Sequence, residues 1–325
     1  MSLSRDDCLK CRKLGEGCTA DVYLLQRPNG EESVVKVIPV GSERNIYGEL
    51  PMPLANIITE GVITRELSNL RLGQMNQTST FIKLKRASLA SAAFHAWSRS
   101  ATWASFSSLG TIQQLESIFL QVACSLAVAE LELEFEHRDL HCDNVLVKRT
   151  EQDCIKFMLN GRELLVRTAG VKASIIDYTL SRMRKGREVV YTDVSHDTAL
   201  FKGIGSSHDD WEAYHPRTNA LWLSYLLHKL TDKLPRTKQA AKVSTSGGRL
   251  ASWADALLAL PSAEALVVEH VALQLERKAE VLPEERRRKG PQTKEPDARS
   301  TRTRYALRWI PSQRKIKDFL NQFMR

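Results

Sequence analysis

The first part of the chain alternates between apolar and polar positions over short distances. Residues 12 to 48 consist of short apolar runs separated by glycine and polar residues, which predicts strands joined by turns. One run, Val34 to Ile38, alternates around the charged residue Lys36. From 54 to 72 apolar residues recur every three or four positions, which predicts a helix. Phe81 to Leu84 is apolar enough for one more strand.

The rest of the chain reads mainly as helices with one strand-rich interval. Helical spacing of apolar residues runs from Ile112 to Leu133, from 218 to 232 and from 253 to 275. Between 145 and 176 the pattern changes to strands, two of them joined by Asn160-Gly161, a dipeptide typical of tight hairpins. Residues 244 to 248 read as a loop. Strands and helices in separate runs predict an α+β fold, and 325 residues are enough for two lobes.

A polar segment separates the long helix from the strand-rich interval. It reads Glu136-His137-Arg138-Asp139-Leu140-His141-Cys142-Asp143-Asn144, and burying so many polar groups is costly unless each has a partner. It matches every specified position of H-R-D-L-x-x-x-N, the catalytic-loop pattern of protein kinases. That pattern assigns Asp139 as the base for the substrate hydroxyl and Asn144 as a metal ligand. We expect His137 and Arg138 to brace the loop. The alternative is a polar connection that matches by chance.

Two further segments fit the same chemistry. Downstream, the apolar run from 173 to 176 ends in Asp177, which would hold Mg²⁺ across the nucleotide phosphates. The usual motif there is D-F-G, and this chain reads Asp177-Tyr178-Thr179, without the backbone freedom of glycine. Upstream, residues 14 to 22 align with the glycine-loop pattern G-x-G-x-x-G-x-V, and a plain hairpin turn is the alternative. The residues predicted to bind the nucleotide there are Gly15, Glu16, Gly17 and Val22.

Lys36 and a carboxylate on the following helix are the remaining parts of the predicted catalytic site. An unpaired ammonium in an apolar strand is costly, and Lys36 fits the strand lysine that grips the α- and β-phosphates. The alternative is an edge-strand lysine that faces water. Its partner should come from the next helix, where we predict Glu60 rather than Glu66, because Glu66 can pair with neighbouring charges. The glycine loop, the lysine–glutamate pair, the catalytic loop and the metal-binding aspartate follow one another in the order that a kinase requires. This order predicts ATP and Mg²⁺ as cofactors.

These motifs together resemble those of one family, the haspin family of atypical eukaryotic protein kinases. The resemblance rests on residues 125–130 and 135–141, on 174–182 around the Asp-Tyr-Thr motif, and on 214–223 in place of the usual A-P-E. It implies a bilobal protein-kinase-like fold with a small β-rich N-lobe and a larger helical C-lobe. It also implies phosphorylation of a threonine near the N-terminus of histone H3 in mitosis, with His141 and Asp197 at the substrate. The implied locations are the nucleus and mitotic chromosomes, with the cytoplasm as a further one.

Two stretches depart from the family. Between Lys85 and Gln113 the chain is rich in Ser and Ala, and the expected fifth strand and adenine-binding hinge are missing from the pattern. Beyond the metal motif, Ala199 and Ser206 replace two substrate-binding carboxylates, which predicts weaker or altered selectivity for a basic tail. These departures leave open a catalytically impaired kinase fold that serves as a chromatin-binding scaffold. A small-molecule phosphotransferase with a related loop is the third alternative.

Composition and charge change the picture mainly at the C-terminal end. Charged residues make up 26% of the chain, and neither an apolar run of 18 residues nor a secretory signal is present, which predicts a soluble intracellular protein without membrane contact. Residues 276 to 325 hold fifteen Lys or Arg and seven Asp or Glu, and so carry nearly all of the net charge of +9. This extension predicts contact with chromatin or nucleic acid, or else a solvated tail. We expect a monomer with an N-lobe at 1–110, a C-lobe at 111–275 and the extension at 276–325.

Overall fold

A computed structural model describes residues 11–16, 20–26, 29–30, 32–40, 52–85, 87, 111–192, 210–232, 245–272 and 275. Most of the Ser- and Ala-rich segment before 111 lies outside the described residues, as does the basic extension. The described part combines small sheets with helices, as an α+β fold requires. The domain boundaries near 110 and 275 stay predictions.

Three strands near the start form an antiparallel sheet. β1 (Cys11–Glu16), β2 (Asp21–Gln26) and β3 (Glu32–Val37) lie in this order, which confirms the strands predicted from the alternating pattern. Val22 on β2 pairs with Lys36 on β3. Residues directly opposite each other in a sheet point to the same face, so two residues predicted to bind the nucleotide lie side by side.

The helix predicted from 54 to 72 is present as α1 (Leu54–Asn69) followed by a 3₁₀ turn (Leu70–Leu72). Its buried face contains the apolar residues Ile63 and Leu67. The same face contains two carboxylates, Glu60 and Glu66. Acidic side chains are almost never fully buried unless they are paired, so each of these carboxylates requires a cationic partner.

One long helix lies at the centre of the fold. α2 (Ile112–Leu133) begins after Thr111, whose hydroxyl accepts a hydrogen bond from the N–H of Gln114, and ends at Glu134 in the left-handed conformation (φ 45°). These bounds are the ones that the apolar spacing predicts. By length and composition this helix could cross a membrane, but 83% of its apolar window is buried inside the protein. Packing on all sides accounts for that composition.

The strand-rich interval forms two antiparallel pairs, and a third antiparallel pair, which the sequence pattern did not predict, follows it. β4 (Val145–Arg149) pairs with β7 (Val171–Ile175), β5 (Cys154–Leu159) with β6 (Arg162–Arg167), and β8 (Arg182–Lys185) with β9 (Glu188–Tyr191). The predicted hairpin turn is confirmed, because Asn160 and Gly161 join β5 to β6 with positive φ angles of 51° and 76°. Val145 pairs with Ile175, so the residues before β4 and after β7 lie at the same end of this ribbon.

The short run from Phe81 to Leu84 is not a strand, contrary to the prediction. Phe81 instead makes a single parallel bridge to Ile175. Its ring packs edge-to-face against Phe135 and Tyr178, with centroid distances of 5.8 and 6.2 Å. Phe81 is therefore held by side-chain packing rather than by a ladder of hydrogen bonds, and it links the segment after α1 to both catalytic motifs.

Three helices complete the described part: α3 (Arg217–Asp232), α4 (Thr245–Ala259) and α5 (Ala263–Leu266), with a π-helical turn (Val267–Val271) after α5. The predicted loop from 244 to 248 is wrong over Thr245 to Gly248, where α4 has already begun. Leu250, Trp253 and Leu257 are buried at helical spacing. Their packing outweighs the weak helix propensity of the two preceding glycines.

Candidate active site

Lys36 lies between two carboxylates that are distant in sequence. Its Nζ is 2.5 Å from Glu60 Oε1 and 3.7 Å from Asp177 Oδ1, and the lysine side chain is only 31% exposed. Burial alone would lower the pKa of Lys36, but Asp177 and Glu60 outweigh that effect and raise the pKa above its ordinary value. The ammonium therefore stays charged at neutral pH, which suits a group that binds phosphate.

Glu66, the other carboxylate considered as a partner of Lys36, instead contacts Arg65 and Lys185. It accepts a hydrogen bond from Arg65 Nε at 3.0 Å and forms an ion pair with Lys185 on β8. Burial alone would raise the pKa of Glu66, but Lys185 and Arg65 outweigh it and lower the pKa. Lys36 thus pairs with Glu60, whereas Glu66 connects α1 to the β8–β9 hairpin.

Arg138 braces the catalytic loop through a buried ion pair with Glu136. Its Nε and Nη2 donate to Glu136 Oε2 and Oε1 at 3.3 and 3.1 Å, and both residues are buried. The pair makes further hydrogen bonds near the start of α3, with Trp211 O, Ala213 O, the His215 N–H and the Thr218 hydroxyl. Each buried charge depends on the other, because an unpaired charge in such a place is strongly destabilising.

His137 is held at both its backbone and its ring. Its N–H donates to Asn219 Oδ1 at 3.0 Å, and its Nε2 lies 3.2 Å from Ile176 O. Burial lowers the pKa of His137 to about 4, so the ring is neutral and Nε2 carries the hydrogen given to Ile176. Asn219 also donates from Nδ2 to Phe135 O at 2.8 Å and to Glu130 Oε1 at 2.9 Å. One asparagine on α3 thus fixes the backbone from which the catalytic loop starts.

Asp139 lies at the open side of this loop, with its side chain 35% exposed. Desolvation by the surrounding protein and the nearby charge of Asp177 raise the pKa of Asp139 to about 7. Such a pKa suits a general base that works near neutral pH. His141 Nδ1 accepts a hydrogen bond from the Asp143 N–H at 3.3 Å, and His141 Nε2 lies 3.7 Å from Asp139 Oδ2. Burial lowers the pKa of His141 despite the two nearby carboxylates, Asp143 and Asp177.

Asn144 and Asp177 fit a metal ion bound together with a nucleotide. Asn144 Nδ2 donates to Asp139 O at 2.8 Å, so its Oδ1 is the amide atom that can bind a cation. Burial would raise the pKa of Asp177, but Lys36 and the Thr179 hydroxyl lower it, and the carboxylate is ionised. Within the described ranges, no three His, Cys, Asp or Glu side chains cluster as a metal site of their own. Mg²⁺ is typically held by one or two carboxylates and substrate phosphates, so this donor set fits Mg·ATP.

Other predicted positions are only partly described. Gly15 on β1 pairs with Val22 on β2, and Glu16 ends β1, so this part of the glycine loop is a hairpin, consistent with both sequence interpretations. Gly17 and Asp197 lie outside the described residues, together with the proposed hinge gap and the Ala199 and Ser206 replacements. Their roles stay predictions.

Three residues of the site were not predicted to act in it: Glu136, Asn219 and Thr179. An acidic residue two positions before a buried arginine is a signal that could have identified Glu136. Thr179 lies within a motif that was noted only for its missing glycine, and its hydroxyl is 2.7 Å from Asp177 Oδ1. Asn219 has no local signal, because its contacts are about 80 residues away in the chain.

Glu130 adds a pH-dependent contribution to the stability of the same network. It accepts hydrogen bonds from the N–H groups of Ala263 and Glu264 at 3.1 and 2.7 Å, and burial raises its pKa to about 7. The unfolded chain, with a pKa near 4.5, binds fewer protons than the folded one between these values. Stability contributed by this group is therefore lost as pH rises through that window, by about 3 kcal/mol in total.

We expect Glu130→Gln to remove this part of the pH dependence, because glutamine does not ionise. The measurement is the free energy of urea unfolding between pH 4.5 and 8. Glu151→Gln, at an exposed position, is the matched control and should retain the dependence of the parent protein. Equal slopes in the Glu130 variant and the parent would contradict the assignment.

Comparison with known proteins agrees with the geometry. The family model described as "Haspin like kinase domain" matches residues 2–258. The chain is 30% identical over 317 residues to the serine/threonine-protein kinase haspin of Mus musculus, covering 82% of this chain and 42% of that protein. It is 30% identical over 279 residues to the protein of the same name in Bos taurus, covering 71% and 36%. It is 29% identical over 273 residues to the haspin homolog of Arabidopsis thaliana, covering 68% and 44%.

The chain spans less than half the length of these curated relatives. The family match, by contrast, includes Lys36, Asp139 and Asn144 together with their partners Glu60, Asp177 and His141. This match and the identity to the mouse protein over most of the chain lead to one conclusion. The chain belongs to the haspin-like kinase family, which has a protein-kinase-like fold.

Proposed function

We propose that this chain is a serine/threonine protein kinase that transfers the γ-phosphoryl group of Mg·ATP to a protein hydroxyl. The observation that carries the proposal is the convergence of Lys36, Glu60 and Asp177, with the Lys36 ammonium 2.5 and 3.7 Å from the two carboxylates. The relatives in mouse and cattle are named serine/threonine-protein kinases, which supports the same reaction.

Each residue has a distinct role in this reaction. Lys36, oriented by Glu60, would bind the nucleotide phosphates, and Asn144 and Asp177 would hold Mg²⁺, which would neutralise phosphate charge. Asp139 accepts the proton of the substrate hydroxyl, and its pKa of about 7 favours that exchange near neutral pH. Phosphoryl transfer depends mainly on positioning and electrostatics, so the buried contacts that fix the loop contribute to the rate.

The proposed acceptor is a threonine near the N-terminus of histone H3, phosphorylated in mitosis on chromosomes in the nucleus. His141 lies 3.7 Å from the carboxylates of Asp139 and Asp143, Asp177 adds further negative charge, and such a concentration of charge attracts a basic peptide tail. His141 and Asp197 are the proposed substrate contacts. The proposal includes two lobes around the nucleotide, and contact of the basic extension 276–325 with chromatin or nucleic acid.

We expect Mg·ATP to stabilise the folded chain, because a ligand that binds only the folded state raises its stability. At a concentration 100 times its dissociation constant, the gain is about 2.7 kcal/mol. Lys36→Met should weaken binding about tenfold and lower that gain by about 1.4 kcal/mol. Lys83→Met, an exposed lysine outside the site, should bind like the parent in the same thermal unfolding assay.

The same thermal unfolding assay distinguishes a kinase from a non-catalytic scaffold. No stabilisation of the parent protein by Mg·ATP would favour the non-catalytic scaffold and contradict the kinase. If stabilisation is present, histone H3 peptides with threonine or alanine at the acceptor are compared with sugars and aminoglycosides as phosphate acceptors. Transfer only to the small molecules would replace the protein kinase by the phosphotransferase.

A further inference from the structure

The hydroxyl of Thr179 lies between two carboxylates of the site. Its Oγ1 is 2.7 Å from Asp177 Oδ1 and 3.2 Å from Glu60 Oε2. Asp177 is the predicted metal ligand and Glu60 is the α1 residue that orients Lys36. Thr179 therefore contacts both carboxylates that also contact the lysine.

A hydroxyl has one hydrogen, while ionised carboxylates only accept hydrogen bonds. Thr179 can therefore donate to only one of its two neighbours at full strength at any moment. The shorter distance assigns the hydrogen to Asp177 Oδ1, with the longer contact to Glu60 as the second position. Rotation of the hydroxyl about its C–O bond is sufficient to move the hydrogen from one carboxylate to the other.

The backbone around Thr179 keeps the hydroxyl in this position. The preceding residue, Tyr178, is buried and donates its own hydroxyl hydrogen to Ile175 O at 2.7 Å. The Tyr178 carbonyl accepts a hydrogen bond from the Ser181 N–H at 3.1 Å. The Thr179 N–H also lies 3.4 Å from Asp177 Oδ1. A side chain on a backbone fixed in this way loses little entropy when it holds a carboxylate.

We propose that Thr179 is a positioning residue that couples the metal-binding aspartate to the helix glutamate. The inference rests on the proposed kinase function. The Thr179 hydroxyl fixes the orientation of the Asp177 carboxylate, so that Oδ2 remains directed to a cation while Oδ1 accepts the hydrogen. When another group binds Asp177 Oδ1, the Thr179 hydroxyl donates its hydrogen to Glu60 instead. This hydrogen bond helps to hold α1 close to Lys36.

Loss of the hydroxyl has a defined consequence. Without it, the Asp177 carboxylate is free to turn to the Lys36 ammonium, now 3.7 Å away. A closer ion pair between these two groups would occupy the oxygens needed for the cation and would draw the lysine from Glu60. Metal binding is therefore expected to weaken although no metal ligand has been changed.

The test compares Thr179→Val, which keeps the shape without the hydroxyl, with Thr179→Ser, which keeps the hydroxyl. Thermal unfolding of the full chain is followed at fixed ATP while Mg²⁺ is titrated. We expect Thr179→Val to raise the Mg²⁺ concentration for half-maximal stabilisation about tenfold, equivalent to about 1.4 kcal/mol. Thr179→Ser should remain close to the parent, and the stabilisation of each protein is measured from its own unfolding temperature without ATP and Mg²⁺.

A second comparison tests the coupling to Glu60. In Thr179→Val combined with Glu60→Gln, the rise in the half-maximal Mg²⁺ concentration should be smaller than the product of the two single effects, because the shared contact is lost only once. Strictly multiplicative effects would overturn the coupling.

The outcomes separate this inference from the proposed function. If Mg·ATP stabilises the parent and Thr179→Val equally, the positioning role is wrong and the kinase proposal stands. If Thr179→Ser is as impaired as Thr179→Val, the side chain acts by packing rather than through its hydroxyl, and the inference is also wrong. If the parent itself shows no stabilisation, the kinase proposal fails first and the inference fails with it.

Discussion

Replacing Asp139 with asparagine is expected to lower kcat by about 10²- to 10⁴-fold, the range for removal of a general base. Asparagine has nearly the same shape but no carboxylate to accept the proton of the hydroxyl. Among the described residues, Asp139 makes no hydrogen bond or ion pair with Lys36 or Glu60, and its backbone carbonyl accepts a hydrogen bond from Asn144. Stabilisation by Mg·ATP should therefore remain mostly intact in this variant.

The measurement is initial-rate kinetics with a histone H3 peptide, with Mg·ATP binding followed in parallel by thermal unfolding. Asp153→Asn is the matched control, since Asp153 is exposed and precedes β5, away from the catalytic loop. It should retain the parent rate. Equal turnover of Asp139→Asn and the parent would remove Asp139 from the reaction.

Replacing Glu136 with glutamine is expected to destabilise the folded chain by about 3–5 kcal/mol, the cost of breaking a buried ion pair by removing one partner. Glutamine keeps the shape of the side chain but leaves the buried Arg138 guanidinium without a negative charge. The Glu136 carboxylate also accepts hydrogen bonds from the His215 N–H and the Thr218 hydroxyl. In the variant an NH₂ group, which donates hydrogen bonds, replaces one of the two accepting oxygens. The free energy of urea unfolding measures the loss.

Two further variants give this prediction its controls. Glu132→Gln removes an exposed carboxylate in the last turn of α2 and should change stability little. Glu136→Gln combined with Arg138→Gln should be less destabilised than the sum of the single variants, because no unpaired charge remains. A loss below about 1 kcal/mol in Glu136→Gln would show that the pair contributes no more than an exposed ion pair.

Local periodicity was sufficient to predict most of the helices and strands. The bounds of α2 follow from an apolar spacing that persists for 22 residues, and the β5–β6 turn follows from the positive φ angles that Asn160-Gly161 tolerates. The failures occur where tertiary packing outweighs local preference. Thr245 to Gly248 is helical in spite of two glycines, and Phe81 makes one bridge and packs its ring without forming a strand.

The candidate reacting groups have a signal in the sequence that the residues supporting them lack. Phosphoryl transfer requires particular side chains in a fixed order, so motif spacing selected Lys36, Glu60, Asp139 and Asp177. The supporting contacts join positions that have no relation in sequence, such as Glu66 with Lys185 and His137 with Asn219. A single sequence contains no signal for such pairs, because their distance is determined only when α1, α3 and the β8–β9 hairpin pack together.

The buried carboxylate of Glu130 extends the functional unit beyond the segment that sequence similarity outlines. It joins Asn219 to the N–H groups of Ala263 and Glu264, whereas the family match ends at 258. A chain trimmed to that match would contain every reacting group, yet it would leave Glu130 with two fewer donors and the catalytic loop less firmly anchored. A shortened chain that keeps the catalytic loop anchored should therefore extend at least through α5.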